Sequence, residues 1–215
     1  MPLLDAPPLA LKRSGLLEYE EALAIQRSIH GEVAAGNHPN TLILLEHPSI
    51  YTAGKRTLDQ ERPGNGARVL DVDRGGKITW HGPGQLVGYP IVRLSNPHEL
   101  VGFVREIESG LIKVCAELGI IGVRVAGRSG VWIVDEKGER KIAAIGIRVA
   151  SGTSMHGFAL NVNPDLSAFD AIVPCGISDA AVTSLEAELG RSISINEVIP
   201  VVEKHLYEAL TKVSK

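Results

Sequence analysis

The side chain best suited to attack a carbonyl in this chain is the cysteine of the stretch VPCGIS, residues 173–178. Pro174 and Gly176 mark a turn and not a periodic apolar face, so a loop presents Cys175. A thiol with a pKa of about 8.5 is largely protonated at neutral pH, so nucleophilic chemistry needs a neighbour that takes the proton or holds the thiolate. His81, His156 and Lys141 are the candidates for that part. Lys141 opens the run KIAAIGIRV. Alternation divides this run into Lys141, Ala143, Ile145 and Ile147 on one face and Ile142, Ala144, Gly146 and Arg148 on the other. A strand apolar on both faces is central in its sheet, and a lysine at its start is partly desolvated, which favours the neutral amine that a base must be. The competing reading is a lysine extending its ammonium into water from a strand end. Cys115, in the helical apolar pattern LIKVCAEL, reads as a small buried hydrophobe.

A second constellation is DRGGKITWHGPGQLVGYP, residues 73–90, in which Arg74, His81 and Gln85 stand among Gly75, Gly76, Gly82 and Gly84. Glycines let a backbone approach a ligand and expose amides that grip a carbonyl or phosphate, while Thr79, His81 and Gln85 add directed hydrogen bonds. The plainer reading is a turn between two strands. A phosphate-binding nucleotide loop is excluded around Gly54-Lys55, because Ser49 and Arg56 stand where Gly and Ser or Thr are required.

The elements that must position these residues are legible in part. Apolar residues recur at helical spacing over 16–35, and Gly36 closes that helix. TLILLE at 41–46, RVLDV at 68–72, QLVGYPIVRL at 85–94 and HGFALNV at 156–162 read as strands. Asn96, Pro97 and Glu99 read as the start of a helix that runs to Gly119. VWIV, the turn DEKGE and RKIAAIGIRV form a hairpin, with Gly138 at the bend. Ser194 and Glu197 have capping-box spacing for a last helix, but Pro200 moves the expected start towards Asn196.

Strands in hairpin succession mixed with helices predict a single α+β domain, with residues 1–14 as an N-terminal arm of open order and 15–215 as one catalytic unit. A composition of 44% hydrophobic and 22% charged residues is that of a globular protein. The net charge of −3 gives no general field for nucleic acid. Two cysteines exclude paired Cys-x-x-Cys zinc sites and fit a reducing cytoplasm, and no apolar window reaches membrane-spanning length. Arg74, Lys77, Arg140 and Arg148 are candidates for attracting an acidic partner, against a default of solvated surface charge.

Taken together, RGGKITWHGPGQ at 74–85, GRSGVWI at 127–133, KIAAIGI at 141–147, HGFALNVN at 156–163 and PCGI at 174–177 resemble the octanoyltransferases of lipoate biosynthesis, also called lipoate-protein ligase B. The resemblance implies a fold like the catalytic domain of biotin and lipoate ligases, with mixed β-sheets flanked by helices. It implies transfer of an octanoyl group from acyl carrier protein to a lysine of a lipoyl domain, in 2-oxoacid dehydrogenase complexes or the glycine cleavage H protein. It assigns Cys175 as the acyl-carrying residue and Lys141 as its partner. It assigns substrate contact to Arg74, Gly75, Gly76, Lys77, Ile78, Thr79, Trp80 and His81, to Ala144, Ile145 and Gly146, and to Gly157, Phe158 and Ala159. Trp80 stands where the family often has Tyr or Phe, and Ser129 where Thr is common; neither change removes a reacting group.

The mechanism expected on this reading has Lys141 accept the Cys175 proton, with a backbone amide or the His81 loop stabilising the oxyanion. Thioester exchange is roughly isoenergetic and transfer to an amine runs downhill, so no ATP, metal or other cofactor is expected. The rival readings are an ATP-dependent lipoate or biotin ligase and a noncatalytic module that binds lipoyl domains or acyl carriers.

Overall fold

The computed structural model describes residues 9–172 and 181–215. Its main sheet contains β1 (Ala10–Leu16), β2 (Thr41–Glu46), β6 (Gln85–Ile91), β10 (Thr153–Asn161), β9 (Gly138–Ala150), β8 (Arg128–Asp135) and β7 (Val123–Val125), adjacent in that order. An eighth strand, β11 (Ala181–Val182), pairs in parallel with β9. A smaller sheet holds β4 (Val69–Asp71), β3 (Ile50–Ala53) and β5 (Thr79–His81) in the order β4-β3-β5.

The uninterrupted apolar run of β2 follows from burial on both faces. Leu42 and Leu44 join one core cluster, and Ile43 and Leu45 join another. Helices α2 (Leu100–Glu117) and α4 (Ile195–Thr211) cover the first face. Each presents buried apolar residues a turn apart: Phe103, Ile107, Leu111 and Val114 on one, Val198, Val202 and Leu206 on the other. Helix α1 (Tyr19–Ala35) covers the second face through Ala22 and Val33, and Gly36 ends it at φ 79°, as its position predicts. A short helix, α3 (Leu185–Leu189), is capped by Ser184.

Several boundaries differ from the sequence reading. Leu16 belongs to β1, so α1 starts at Tyr19. Asn96 does not cap α2: its side chain accepts from His98 N–H and its carbonyl from Glu99 N–H, which makes a separate turn before the helix begins at Leu100. α4 starts from Ser194 with both capping-box bonds formed and carries Pro200 within it. The buried stripe of Val198, Val202 and Leu206 holds the helix through the backbone bond that Pro200 forgoes.

The consequential departure lies in β9. Val131 pairs with Ala143 and Trp132 with Lys141, so Ile142 is an extra residue, a β-bulge. Strict alternation would group Lys141 with Ala143 and Ile145. The bulge instead sends both Ile142 and Ala143 into the core and leaves Lys141 and Ala144 on the cavity side.

Leu206 is fully buried where α4 meets α2, beside Gly110. Leu206→Ala should cost about 3 kcal/mol in urea unfolding with an unchanged denaturant slope. A loss below about 1 kcal/mol would mean that this helix pair contributes little to the core.

Candidate active site

A cavity of about 390 Å³ is walled by the Arg74–Lys77 loop, β5, β9 and β10, with a lip from Leu100 and Val104 of α2. That volume suits a small ligand or an acyl group. The loop is built around Arg74, which is only 7% exposed. Its Nη1 donates to the carbonyls of Gly75 (3.0 Å) and Lys77 (2.8 Å), and its Nη2 to the carbonyl (2.7 Å) and Oγ1 (3.0 Å) of Thr52. The guanidinium can lie there because Gly54 and Gly146 lack side chains: a Cβ on Gly146 would stand 2.9 Å from Arg74 Cδ, and one on Gly54 would stand 2.7 Å from Nη1.

Two glycine amides of this region are used internally. Gly75 N–H donates to the Ile147 carbonyl, and Gly84 N–H donates to Glu46. The cations expected to attract an acidic partner have partners within the chain. Lys77 pairs with Glu61, Arg148 with Asp73, and Arg140 with Asp135 and Glu188.

Lys141 lies in the cavity wall at 7% exposure, with Nζ 4.5 Å from the ring centroid of Trp132, its cross-strand partner. The loop of Gly127, Arg128 and Ser129 beside it is secured from below by Glu108. This fully buried carboxylate accepts from Gly130 N–H (3.0 Å), Arg124 (2.9 Å) and Arg105 (2.7 Å). On the far side of β9, Val182 pairs with Lys141, and Thr183 N–H donates to the Lys141 carbonyl. The chain that follows the VPCGIS stretch therefore rejoins the described structure alongside Lys141.

Three histidines and two tyrosines surround the polar end. His47 Nδ1–H donates to the Leu17 carbonyl (2.6 Å), and its Nε2 accepts from Tyr89 O–H (2.7 Å). Burial, only partly opposed by the Leu17 bond, pushes the His47 pKa down to about 4. His81 packs against both the Tyr19 and His47 rings, with Nδ1 2.7 Å from Gln85 Oε1. Burial and then the neighbouring His47 push it down to about 3. His156 Nε2 lies 2.7 Å from Asp73 Oδ1, and its backbone is held at φ 57° while its N–H donates to Gln26. Burial lowers its pKa against the pull of Asp73. Burial also raises both phenols, Tyr19 to about 12.

Of the residues singled out from sequence, Arg74, Gly75, Gly76, Lys77, Thr79, His81, Ala144, Ile145, Gly146, Gly157, Phe158, Ala159 and Lys141 all line the cavity, as does His156. Ile78 and Trp80 do not. The alternation of β5 turns them into a separate apolar cluster, where Trp80 meets Phe169 edge-on and donates Nε1–H to Ser49. Cys175 and its PCGI motif lie outside the described residues. Cys115 is fully buried, and burial pushes its thiol up to about 12, which removes it as a nucleophile. Tyr19, Tyr89, Leu100 and Val104 line the cavity and were not identified from sequence, because each reads as part of an ordinary apolar pattern.

Residues 18–207 match the family model for the lipoyl protein ligase A/B catalytic domain. An octanoyltransferase from Salinispora tropica is 58% identical over 202 residues, covering 93% of this chain and 95% of the relative. The chain belongs to the octanoyltransferase family. Membership makes it an acyltransferase. Among solved structures, the bipartite lipoate protein ligase of an archaeal lipoylation system from Thermoplasma acidophilum superposes with a TM-score of 0.70 at 18% identity, covering 94% of this chain and 84% of that one. The biotin protein ligase of Aquifex aeolicus superposes at 0.51 with 14% identity, covering 95% and 69%. The expected α+β fold, like that of biotin and lipoate ligases, is the one observed. Among the described residues no helix is long and apolar enough to cross a membrane.

The buried histidines make stability depend on pH. Above pH ~6.5 both folded and unfolded chains carry neutral rings; below it the unfolded chain binds a proton at each, while folded His47 and His81 stay neutral until about 4 and 3. The unfolded state then binds more protons, so stability falls as pH falls. Between pH 7 and 5 each of the two should cost about 2 kcal/mol, read by urea unfolding at both values. Equal stability at the two pH values would show that these rings are not held neutral.

Proposed function

We propose that this acyltransferase moves an octanoyl group from acyl carrier protein to a lysine of a lipoyl domain, holding it in between as a thioester on Cys175. The observation that carries the reading is Lys141: a lysine buried in the wall of an acyl-sized cavity, fixed over Trp132, with the strand that follows the cysteine loop paired to it. The Lys141 amine takes the Cys175 proton, and the thiolate attacks the carrier thioester. The carrier thiolate leaves and receives that proton. An incoming lysine amine then attacks the acyl-cysteine, gives a proton to Lys141, and displaces the Cys175 thiolate. Ile145, Phe158, Val87 and Ala159 supply apolar wall for the octanoyl chain.

The acceptors on this reading are lipoyl domains of 2-oxoacid dehydrogenase complexes and the glycine cleavage H protein. A cytoplasmic setting, which keeps thiols reduced, suits the nucleophile. The bond energy of the donor thioester drives the transfer, so the proposed route uses neither ATP nor a metal. The fold likeness to ligases makes an adenylate route the alternative, and dependence of turnover on ATP would favour it.

Incubation with octanoyl carrier, followed by intact-protein and peptide mass spectrometry, should place one octanoyl group on Cys175. Cys175→Ala and Lys141→Met should each lower turnover by at least about a hundredfold. Full turnover with Cys175 unmodified would defeat the scheme.

A further inference from the structure

The hydrogen bonds behind His81 decide which of its nitrogens carries the proton. The chain begins at the Thr183 carbonyl, which can only accept; Asn161 must therefore approach it with Nδ2–H (2.9 Å). That turns Asn161 Oδ1 towards Gln85, which must answer with Nε2–H (2.9 Å). Gln85 then has only Oε1 left for His81, at 2.7 Å from Nδ1, so His81 donates from Nδ1. Every side chain in this relay is buried, with exposures of 7% for His81, 2% for Gln85 and 5% for Asn161, so water is a poor substitute partner. In the neutral ring the remaining nitrogen, Nε2, is an acceptor, and His81 lines the cavity.

An acceptor there is the wrong partner for an oxyanion, which needs donors. Of the reacting groups, the thioester carbonyl offers only lone pairs, while the attacking amine offers N–H. We propose that His81 is a positioning residue for the acceptor lysine: Nε2 accepts one N–H of the amine and thereby aims the nitrogen lone pair at the acyl carbon. This rests on the function proposed above. As the C–N bond forms and the C–S bond to Cys175 breaks, the amine gives one proton to Lys141. The N–H held by His81 remains as the N–H of the product amide. Oxyanion stabilisation is then left to donors other than His81.

Two measurements test this in the full-length enzyme. In protein labelled with ¹⁵N-histidine, the His81 ring should show a protonated Nδ1 and a bare Nε2 at neutral pH; a proton on Nε2 overturns the proposal. In single-turnover kinetics, His81→Phe should acylate Cys175 at close to the wild-type rate but transfer the acyl group to a lipoyl domain roughly tenfold to a hundredfold more slowly, in kcat more than in KM. His81→Gln, whose amide oxygen can stand where Nε2 stood, should recover part of that loss. Equal slowing of both half-reactions by His81→Phe, or no recovery in His81→Gln, would overturn the assignment. Failure of wild-type Cys175 to become acylated would instead sink the parent reading, with the tautomer still measurable on its own.

Discussion

A buried guanidinium organises this site. Arg74 carries its charge in a place nearly closed to water, where an unpaired cation is costly, and its guanidinium donates to the backbone carbonyls of Gly75, Lys77 and Thr52. Those carbonyls belong to Thr52 of β3 and to the loop that Arg74 itself opens, so one side chain ties β3 to the Gly75–Lys77 turn. The planar fork is needed, because a lysine could not reach Thr52 and Lys77 in fixed directions together. Gly54 and Gly146 are in turn required by Arg74, since a methyl group at either position would collide with it. Two glycines distant in sequence thus share a mechanical cause: Gly54 and Gly146 make room for an arginine that folds the loop over the sheet.

The same logic continues through β9 and β10. Gly157 pairs with Gly146, and a Cβ on Gly157 would approach the Gly88 carbonyl to 2.0 Å, so the middle of the sheet is kept free of side chains. Phe158 folds its ring over Gly88 instead. Next to this bare strip the Ile142 bulge rotates Lys141 onto the cavity side while adding Ile142 and Ala143 to the core. A lysine placed by an ordinary strand would have needed a neighbour to give up core packing. The bulge delivers both.

How much of this could be read beforehand varies with the range of the interaction. TLILLE, the helix ending at Gly36, and the hairpin at Gly138 are local patterns, and they appear where the residues place them. β1, with its exposed ALKRSGL, carries no apolar alternation strong enough to announce a strand; it exists because β2 offers an edge. The bulge is invisible to alternation, since nothing in KIAAIGI says which residue is extra. Ile78 and Trp80 were grouped with Thr79 and His81 by adjacency in a motif, although a strand sends neighbours to opposite faces. Glu108 gave no signal either: only the fold reveals that a helix carboxylate supports the Gly127–Ser129 loop.

The histidines and tyrosines around the cavity share a property that bears on the proposed chemistry. Burial holds His47, His81 and His156 towards the neutral form and the phenols of Tyr19 and Tyr89 towards the protonated form. Near neutral pH none of the five readily takes up or releases a proton, so they act through fixed hydrogen bonds. A transfer that passes one proton between a thiol, an amine and a lysine benefits from such surroundings. On the proposed route the proton meets no ready competitor among these five groups, and their hydrogen bonds stay as they are while it moves.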